Sequence, residues 1–162
     1  MKKSYLIFFI TAIAVLILDQ LTKFYVDSYM FIHESIPVIS GLFSITYVRN
    51  PGAAFGFLAS MGPLFRSVFF ITVSAGAIVL IFYYIRKSQA GEDILTFSLS
   101  LIMGGAGGNL IDRVRFGEVI DFLDVYIGSH HWPAFNIADS AISAGAILLI
   151  LEMIRRRKER GR

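Results

Sequence analysis

Four long apolar runs limit the possible folds of this chain more than any other feature of its sequence. The runs cover about residues 5–22, 63–85, 94–111 and 137–154. A helix of about 20 apolar residues crosses the hydrocarbon core of a bilayer, and each run approaches or exceeds that length. The sequence therefore predicts an integral membrane protein, mainly α, built as a bundle of four transmembrane helices.

The composition supports a membrane as the solvent. The 162 residues are 56% hydrophobic and 17% charged, which is too apolar for a soluble domain that covers its surface with polar groups. Because the spans use about half of the chain, we expect a single domain over residues 1–162 with no separate soluble module. Cysteine is absent, so disulfides, thiolate metal sites and a cysteine nucleophile are excluded.

The distribution of basic residues predicts the orientation of the spans. Four spans place both termini on one side of the membrane, together with the connection at residues 86–93. Ten of the 15 Lys and Arg residues lie there: Lys2, Lys3, Arg86, Lys87, Arg155, Arg156, Arg157, Lys158, Arg160 and Arg162. Because cytoplasmic segments carry an excess of Lys and Arg, we predict that both termini are cytoplasmic. Topology also accounts for the net charge of +3 without nucleic acid as a partner.

The two remaining connections, at about residues 25–62 and 112–136, are then predicted to face outward. Residues 43–47 alternate between apolar and polar side chains, and Pro37 and Gly41 interrupt the approach, which favours a small extracytoplasmic β-sheet. The stretch 119–126 mixes aromatic, apolar and acidic residues and suits an interfacial loop or helix. Its pattern leaves the secondary structure open.

Polar residues near the ends of the apolar runs predict a functional site. A charge at the centre of a membrane span costs about 2.5–3.5 kcal/mol on insertion scales, so such positions are informative. With the topology above, these residues all lie near the outer membrane boundary: Asp19, Lys23, Asn109, Asp112, Arg113, Asp121, Asn136 and Asp139. Unrelated anchors would favour both boundaries, so the one-sided cluster points to a site.

Asp121 and Asp139 are the catalytic candidates. Two carboxylates brought together share a proton, so that the ionised member activates a water while the neutral member polarises a carbonyl. That is the chemistry of an aspartic peptidase. Alone, Asp139 would stabilise the dipole of its helix and Asp121 would be a solvated loop carboxylate.

The other polar residues leave alternatives open. Asn136 either caps the fourth helix or lies on a neighbouring face of the same helical turn as Asp139, and Asn50 is either a turn former or a polar strut. Asp19 and Lys23 have the i, i+4 spacing of a structural ion pair. Arg113 binds a carbonyl or a lipid phosphate, or it pairs with a neighbouring acid.

Two further motifs suggest ligands but have simpler explanations. The glycine-rich stretch 104–108 lies inside an apolar run and lacks the lysine of a phosphate-binding loop, so close helix packing is favoured. His130 and His131 are adjacent and have no third ligand in sequence, so an interfacial loop is favoured over a metal site. No metal and no organic cofactor is expected.

Three other functions compete with the peptidase. A small transporter or channel would use the polar residues as an ion path, but it would place them near the midplane. An assembly or lipid-binding subunit would use the carboxylates as partners for Lys23, Arg49 and Arg113. A serine–lysine peptidase would use Lys23, although no serine has the context of an activated nucleophile.

Five segments in order resemble the motifs of the bacterial lipoprotein signal peptidases, also called signal peptidase II. They are DQLTK (19–23), NPGAAFG (50–56), GGAGGNLIDR (104–113), VIDF (119–122) and FNIAD (135–139). The resemblance covers nearly the whole chain. It implies four helices with a small periplasmic sheet in the bacterial inner membrane.

The resemblance also implies roles for individual residues. Asp121 and Asp139 would form the dyad of an aspartic endopeptidase that cleaves prolipoproteins before a cysteine carrying diacylglycerol. The residues expected to line or support the substrate site are Asn50, Asn109, Arg113, Asn136, Asp19 and Lys23. The expected partners are the diacylglyceryl-modified prolipoprotein and membrane lipids, and the protein is expected to act as a monomer near the periplasmic face.

Overall fold

The computed structural model describes residues 3–52, 61–87 and 91–160. Within these ranges the helices and strands follow in the order α1 (Lys3–Tyr29), β1 (Ser35–Ile39), β2 (Phe43–Asn50), α2 (Pro63–Lys87), α3 (Asp93–Phe116), β3 (Val119–Ile127), β4 (His130–His131) and α4 (Ile137–Arg160).

All four helices are long and apolar enough to cross a membrane, which confirms the predicted fold class. The helices extend beyond the apolar runs: α1 continues past residue 22 to Tyr29, and α3 continues past residue 111 to Phe116. The added turns carry polar side chains such as Lys23 and Asp112, which are buried. These turns remain helical because their polar groups face neighbouring elements and not lipid.

Helix α3 lies at the centre of the bundle and packs against the other three helices. Its glycines allow this close approach. A Cβ atom added at Gly104 would lie 2.7 Å from Cβ of Val15 in α1, and one added at Gly105 would lie 2.7 Å from Cγ1 of Ile142 in α4. The prediction that the glycine-rich stretch serves helix packing is confirmed.

The four strands form one antiparallel sheet in the order β1-β2-β3-β4. Strands β1 and β2 lie in the first outer connection, where a small sheet was predicted, and β3 and β4 lie in the second. The stretch 119–126, for which the sequence suggested an interfacial loop or helix, is part of strand β3. It is extended because it pairs along its length with β2. This register places Asp121 opposite Val48 and Val119 opposite Asn50. Residues 53–56 of the predicted NPGAAFG motif lie outside the described residues.

An apolar cluster attaches the sheet to the end of α1. It contains Val26 of α1 and Met30 directly after this helix, together with Tyr47, Ile120 and Phe122 of the sheet. On the far side of β3, the N–H groups of residues 122 and 123 donate to the carbonyl of Phe135 at 3.0 and 2.8 Å, just before α4 begins. The start of α4 is therefore fixed beside the middle of β3, at the end of the bundle that carries the sheet.

The central packing of α3 gives the first prediction. We expect Gly105→Ala to lower the stability of the purified protein by about 1–3 kcal/mol, because the added methyl group overlaps the carbonyl of Ala138 and forces α4 to shift. Thermal unfolding in a mild detergent measures the change. The matched control is Gly107→Ala in the same helix, where the methyl group would lie at an ordinary 3.6 Å from Leu16. Equal destabilisation by both substitutions would contradict this account of the packing.

Candidate active site

Asp121 of β3 and Asp139 of α4 line the same cavity, at the sheet end of the bundle. The cavity has a volume of about 690 Å³ and is lined by residues of α2, α3 and α4 together with the strands and residues 132–135. Asn50, Asn109 and Arg113 also line it. The structure therefore brings the two predicted catalytic carboxylates together with three of the predicted supporting residues.

The carboxylate of Asp121 is buried and is held by two amide side chains. Asn50 Nδ2 donates to its Oδ2 at 2.8 Å, and Asn136 Nδ2 donates to its Oδ1 at 2.7 Å. Burial, followed by the neighbouring charge of Asp139, raises the pKa of Asp121 to about 7, although the two amide donors and the charge of Lys23 act in the opposite direction. Asp121 therefore retains its proton up to neutral pH.

The carboxylate of Asp139 belongs to the first turn of α4 and is partly exposed to the cavity. Asn109 Nδ2 donates to its Oδ1 at 2.8 Å. Asn136 directly precedes the helix, and its Oδ1 accepts a hydrogen bond from the N–H of Asp139 at 2.8 Å. In return, the N–H of Asn136 donates to Asp139 Oδ2 at 3.3 Å, which completes a reciprocal capping box.

Of the two roles left open for Asn136, the structure shows the helix cap, whereas Asn50 is both a turn former and a polar strut. Asn136 caps α4 through its Oδ1, and its Nδ2 contacts Asp121. Asn50 accepts a hydrogen bond from the N–H of Gly52 at 3.0 Å, as a turn former does, and its Nδ2 supports Asp121. One amide side chain serves both purposes because its oxygen accepts while its nitrogen donates.

Lys23 lies behind the cavity at the centre of a buried group that we call the lysine cluster: Lys23, Asp19, Asp112 and Asn109. Its Nζ is 2.9 Å from Asp19 Oδ2, 2.8 Å from Asp112 Oδ2 and 2.9 Å from Asn109 Oδ1. An ammonium group has three donors, and all three are used here. The i, i+4 pair of Asp19 and Lys23 expected from the sequence is present.

The acids of the lysine cluster also bind backbone groups of the site. Asp19 accepts a hydrogen bond from the N–H of Ala138 at 2.9 Å, at the start of α4. Asp112 accepts one from the N–H of Ile120 at 3.2 Å, next to Asp121 in β3. The cluster therefore joins α1 and α3 to the two backbone segments that carry the catalytic candidates.

Gln20 is a member of this network that the sequence analysis missed. Its Nε2 lies 3.2 Å from Asp19 Oδ2, 3.0 Å from Asp112 Oδ1 and 3.2 Å from the carbonyl oxygen of Gly108. The sequence did contain a signal for Gln20. An amide next to Asp19 at the end of an apolar run is costly to bury unless it finds a hydrogen-bond partner.

Arg113 forms part of the cavity wall. Its Nη1 and Nη2 lie 3.4 Å from the carbonyl oxygens of Asn109 and Gly52, and its guanidinium carbon lies 4.8 Å from the ring centre of Phe70. Of the alternatives left open by the sequence, the contact with carbonyls is the one found. In the described part of the chain, Arg113 has no carboxylate within ion-pair distance.

Among the described residues, the cations nearest the site form ion pairs with acids other than the two catalytic candidates. Lys23 pairs with Asp19 and Asp112, and Arg49 pairs with Asp27 at 2.6 Å. Across residues 3–52, 61–87 and 91–160, the side-chain hydrogen bonds to Asp121 and Asp139 come from asparagine amides. Within these ranges, neither carboxylate is the salt-bridge partner that an assembly subunit would use.

The histidines near the sheet have a structural environment. His131 Nδ1 lies 2.9 Å from Asp124 Oδ1, and its ring stacks on Tyr126 at a centroid distance of 4.6 Å. Among the described residues, no three side chains of the metal-binding types converge on one point.

Comparison with known proteins places this site in a family. The model of the signal peptidase II family (peptidase family A8) matches residues 11–155. The chain is 58% identical over 160 residues to a lipoprotein signal peptidase of Syntrophus aciditrophicus, covering 99% of each protein. It is 44% identical to a lipoprotein signal peptidase of Bacillus velezensis, covering 92% of this chain and 94% of the relative.

Solved structures agree with the sequence comparison. A bacterial membrane enzyme solved by the in meso method at 2.3 Å resolution has a TM-score of 0.84 and 36% identity, covering 98% of this chain and 92% of the enzyme. A second such structure, at 1.9 Å resolution, has a TM-score of 0.79 and 38% identity, covering 94% and 93%. The resemblance drawn from the five motifs is confirmed: this chain is a multi-pass membrane peptidase that belongs to the signal peptidase II family.

Proposed function

We propose that this protein is an aspartic endopeptidase that removes the signal peptide from bacterial prolipoproteins. It cuts on the N-terminal side of the cysteine that carries diacylglycerol, and Asp121 and Asp139 are its catalytic residues. Its relatives are named lipoprotein signal peptidases. The observation that carries the mechanism is that two carboxylates held by amides, with no cation paired to either within the described residues, line one cavity.

The reaction needs one ionised and one neutral carboxyl group. The ionised member takes a proton from a water molecule, whose oxygen then bonds to the carbon of the scissile amide. The neutral member donates a hydrogen bond to the carbonyl oxygen and stabilises the charge that develops there. Collapse of the tetrahedral intermediate breaks the C–N bond, and the new amine receives a proton from the pair. Water and two carboxyl groups are sufficient for this chemistry, so no cofactor is proposed.

The remaining polar residues prepare the site for this reaction. Asn50 and Asn136 orient Asp121, and Asn109 orients Asp139. Arg113 adds a positive charge to the cavity wall without forming an ion pair with either acid in the described part of the chain. We propose that its guanidinium group binds carbonyl oxygens of the bound substrate.

We propose that the sheet end of the bundle faces the periplasm and that the other end faces the cytoplasm. The protein then lies in the inner membrane with its catalytic pair near the outer boundary. The basic residues at the ends of α2 and α4 support this orientation. At that depth water reaches the site while the substrate stays anchored by its signal helix and lipid chains. The site described lies within a single chain, which supports a monomer.

The part of the cavity that is lined by α2 and α4 supports lateral entry of the substrate from the bilayer. Apolar and small residues line it on both sides, including Val73 and Ala77 of α2 and Ile142 and Ser143 of α4. A helical signal peptide or an acyl chain fits such a surface, because apolar contacts require no partner for hydrogen bonds.

The first test of this proposal compares aspartate variants. We expect Asp121→Asn and Asp139→Asn each to reduce cleavage of a diacylglyceryl-modified prolipoprotein by at least about a thousandfold, because the pair then lacks either the base or the acid. The matched control is Asp124→Asn, three residues beyond Asp121 in the same strand, where the carboxylate binds His131. We expect this variant to retain activity.

Thermal unfolding of the three variants separates loss of chemistry from loss of fold. Wild-type activity at Asp121→Asn or Asp139→Asn in a folded protein would exclude the assigned dyad. Failure of the wild type to cleave would exclude the proposed function.

The raised pKa of Asp121 predicts the alkaline side of the pH profile. Because the pKa is raised to about 7, Asp121 is neutral below that pH and ionises above it. The active form needs one neutral member, so we expect kcat/KM to fall about tenfold per pH unit above this midpoint. Initial rates in bicelles between pH 5 and 9 measure this. A profile that stays flat to pH 9 would contradict a neutral Asp121.

Lateral entry is tested with a photocrosslinking residue at Val73, which is 53% exposed on α2 beside the cavity. We expect it to capture a prolipoprotein substrate. The control position is Ile13 on α1, which is 50% exposed and lies at a similar depth, next to the residues that contact Gly104. Equal capture at both positions, or none at Val73, would argue against entry between α2 and α4.

A further inference from the structure

Lys23 lies outside the cavity, yet its contacts lead directly to one of the catalytic acids. We propose that Lys23 is a positioning residue: by fixing the orientation of the Asn109 amide, it holds Asp139 as the ionised, water-activating member of the pair and leaves the proton on Asp121. This inference rests on the proposed function and adds to it the assignment of base and acid.

The Asn109 amide lies between Lys23 and Asp139, so its orientation determines which neighbour meets the oxygen and which meets the nitrogen. The oxygen and nitrogen of an amide group are nearly indistinguishable by shape, so their placement depends on the hydrogen-bond partners. An ammonium group can only donate. Since Lys23 Nζ lies 2.9 Å from one atom of the amide, that atom must be the oxygen. Asn136 Nδ2 also donates to this oxygen, at 3.3 Å.

It follows that the Asn109 nitrogen must face Asp139. Its Nδ2 lies 2.8 Å from Asp139 Oδ1, and an NH₂ group can only donate there. If the amide rotated by half a turn, its oxygen would face the carboxylate and its nitrogen would face the ammonium group, so both contacts would become repulsive. The charge of Lys23 therefore provides Asp139 with a donor that cannot be exchanged for an acceptor.

Two other features favour the charged form of Asp139. The carboxylate is in the first turn of α4, where unpaired N–H groups and the helix dipole stabilise a negative charge. The N–H of Asn136 donates to its Oδ2 at 3.3 Å. Asp139 is also partly exposed to the cavity, whereas Asp121 is only 2% exposed, so water in the cavity has better access to Asp139.

The donors around Asp121 do not prevent it from carrying the proton. A neutral carboxyl group still accepts hydrogen bonds from Asn50 and Asn136 through its remaining lone pairs. Its own proton then points away from both amides. In this arrangement Asp121 donates to the substrate carbonyl, and Asp139 receives the proton of the attacking water.

Among the described residues, four charged groups face the pair from the elements packed against it. They are Lys23 and Asp19 on α1, and Asp112 and Arg113 on α3. Asp19 and Asp112 are paired with the ammonium group of Lys23, and Arg113 faces both members of the pair from the cavity wall. The difference between Asp121 and Asp139 therefore depends on the donor from Asn109, on the helix terminus and on the deeper burial of Asp121.

Crossed pH profiles of kcat/KM test the assignment, using Asn109→Ala and Asn50→Ala with a diacylglyceryl-modified prolipoprotein. Removal of the Asn109 donor destabilises the ionised form of Asp139, the proposed base. We therefore expect the acid limb of the profile, where kcat/KM rises with pH, to move upward by about one pH unit. Removal of the Asn50 donor destabilises the ionised form of Asp121, the proposed acid, and so makes that group lose its proton at a higher pH. We therefore expect the alkaline limb to move upward and the acid limb to remain in place.

A double variant tests the part played by Lys23. Lys23→Met combined with Asp112→Asn removes one positive and one negative charge, so the net charge of the lysine cluster is unchanged. The Asn109 amide then loses the partner that sets its orientation. We expect this variant to reproduce the upward shift of the acid limb. A merely structural role for Lys23 would lower the unfolding temperature and leave the acid limb in place.

The outcomes are distinct. If the acid limb moves in Asn50→Ala and not in Asn109→Ala, Asp121 is the base and Asp139 the acid, and the inference is overturned. If the double variant does not fold, Asn109→Ala and Asn50→Ala decide whether Asp139 is the base. The role of Lys23 is then tested with Lys23→Arg. Because arginine also only donates hydrogen bonds, this variant must leave the acid limb in place. Absence of cleavage by the wild type would overturn the proposed function itself.

Discussion

The structure depends on one buried cation. Lys23 is 1% exposed, and its ammonium group is held by Asp19, Asp112 and Asn109. A lysine in this position is tolerated only because each of its donors has an acceptor, and removal of one partner from such a pair typically costs about 3–5 kcal/mol. Because Asp19 and Asp112 also bind the backbone at the start of α4 and in β3, this single charge fixes the relative positions of α1, α3, α4 and the sheet.

This arrangement separates two kinds of carboxylate within the same region. The acids of the lysine cluster are paired with a cation and serve the fold. Asp121 and Asp139 have neutral amide donors and no ion pair within the described residues, so their proton remains available for exchange. The membrane favours this division, since the low dielectric strengthens each contact and also makes an unpaired charge costly. In the proposed mechanism, a peptide bond presented beside the pair meets one neutral and one ionised carboxyl group, each oriented by its amide donors.

Hydropathy was sufficient to predict the four helices, and the one-sided polar residues were sufficient to locate the site. The limits of that reasoning are physical. Hydropathy marks where lipid-facing residues end, so it could not show that α1 and α3 continue through turns whose polar side chains are buried by other elements. Strand β3 was ambiguous because its partner, β2, lies about 70 residues away in sequence. The double role of Asn136 and the contribution of Gln20 depend on tertiary contacts that spacing along the chain does not encode.

The most direct measurement of the central claim is an experimental structure of the protein with a non-cleavable substrate analogue. In this analogue a tetrahedral carbon bearing a hydroxyl group replaces the scissile carbonyl, next to the diacylglyceryl-cysteine. The account predicts that the hydroxyl oxygen lies within hydrogen-bond distance of both Asp121 and Asp139, and that the acyl chains leave between α2 and α4. An analogue that binds with its hydroxyl group away from either carboxylate, in a protein that cleaves the corresponding substrate, would contradict it.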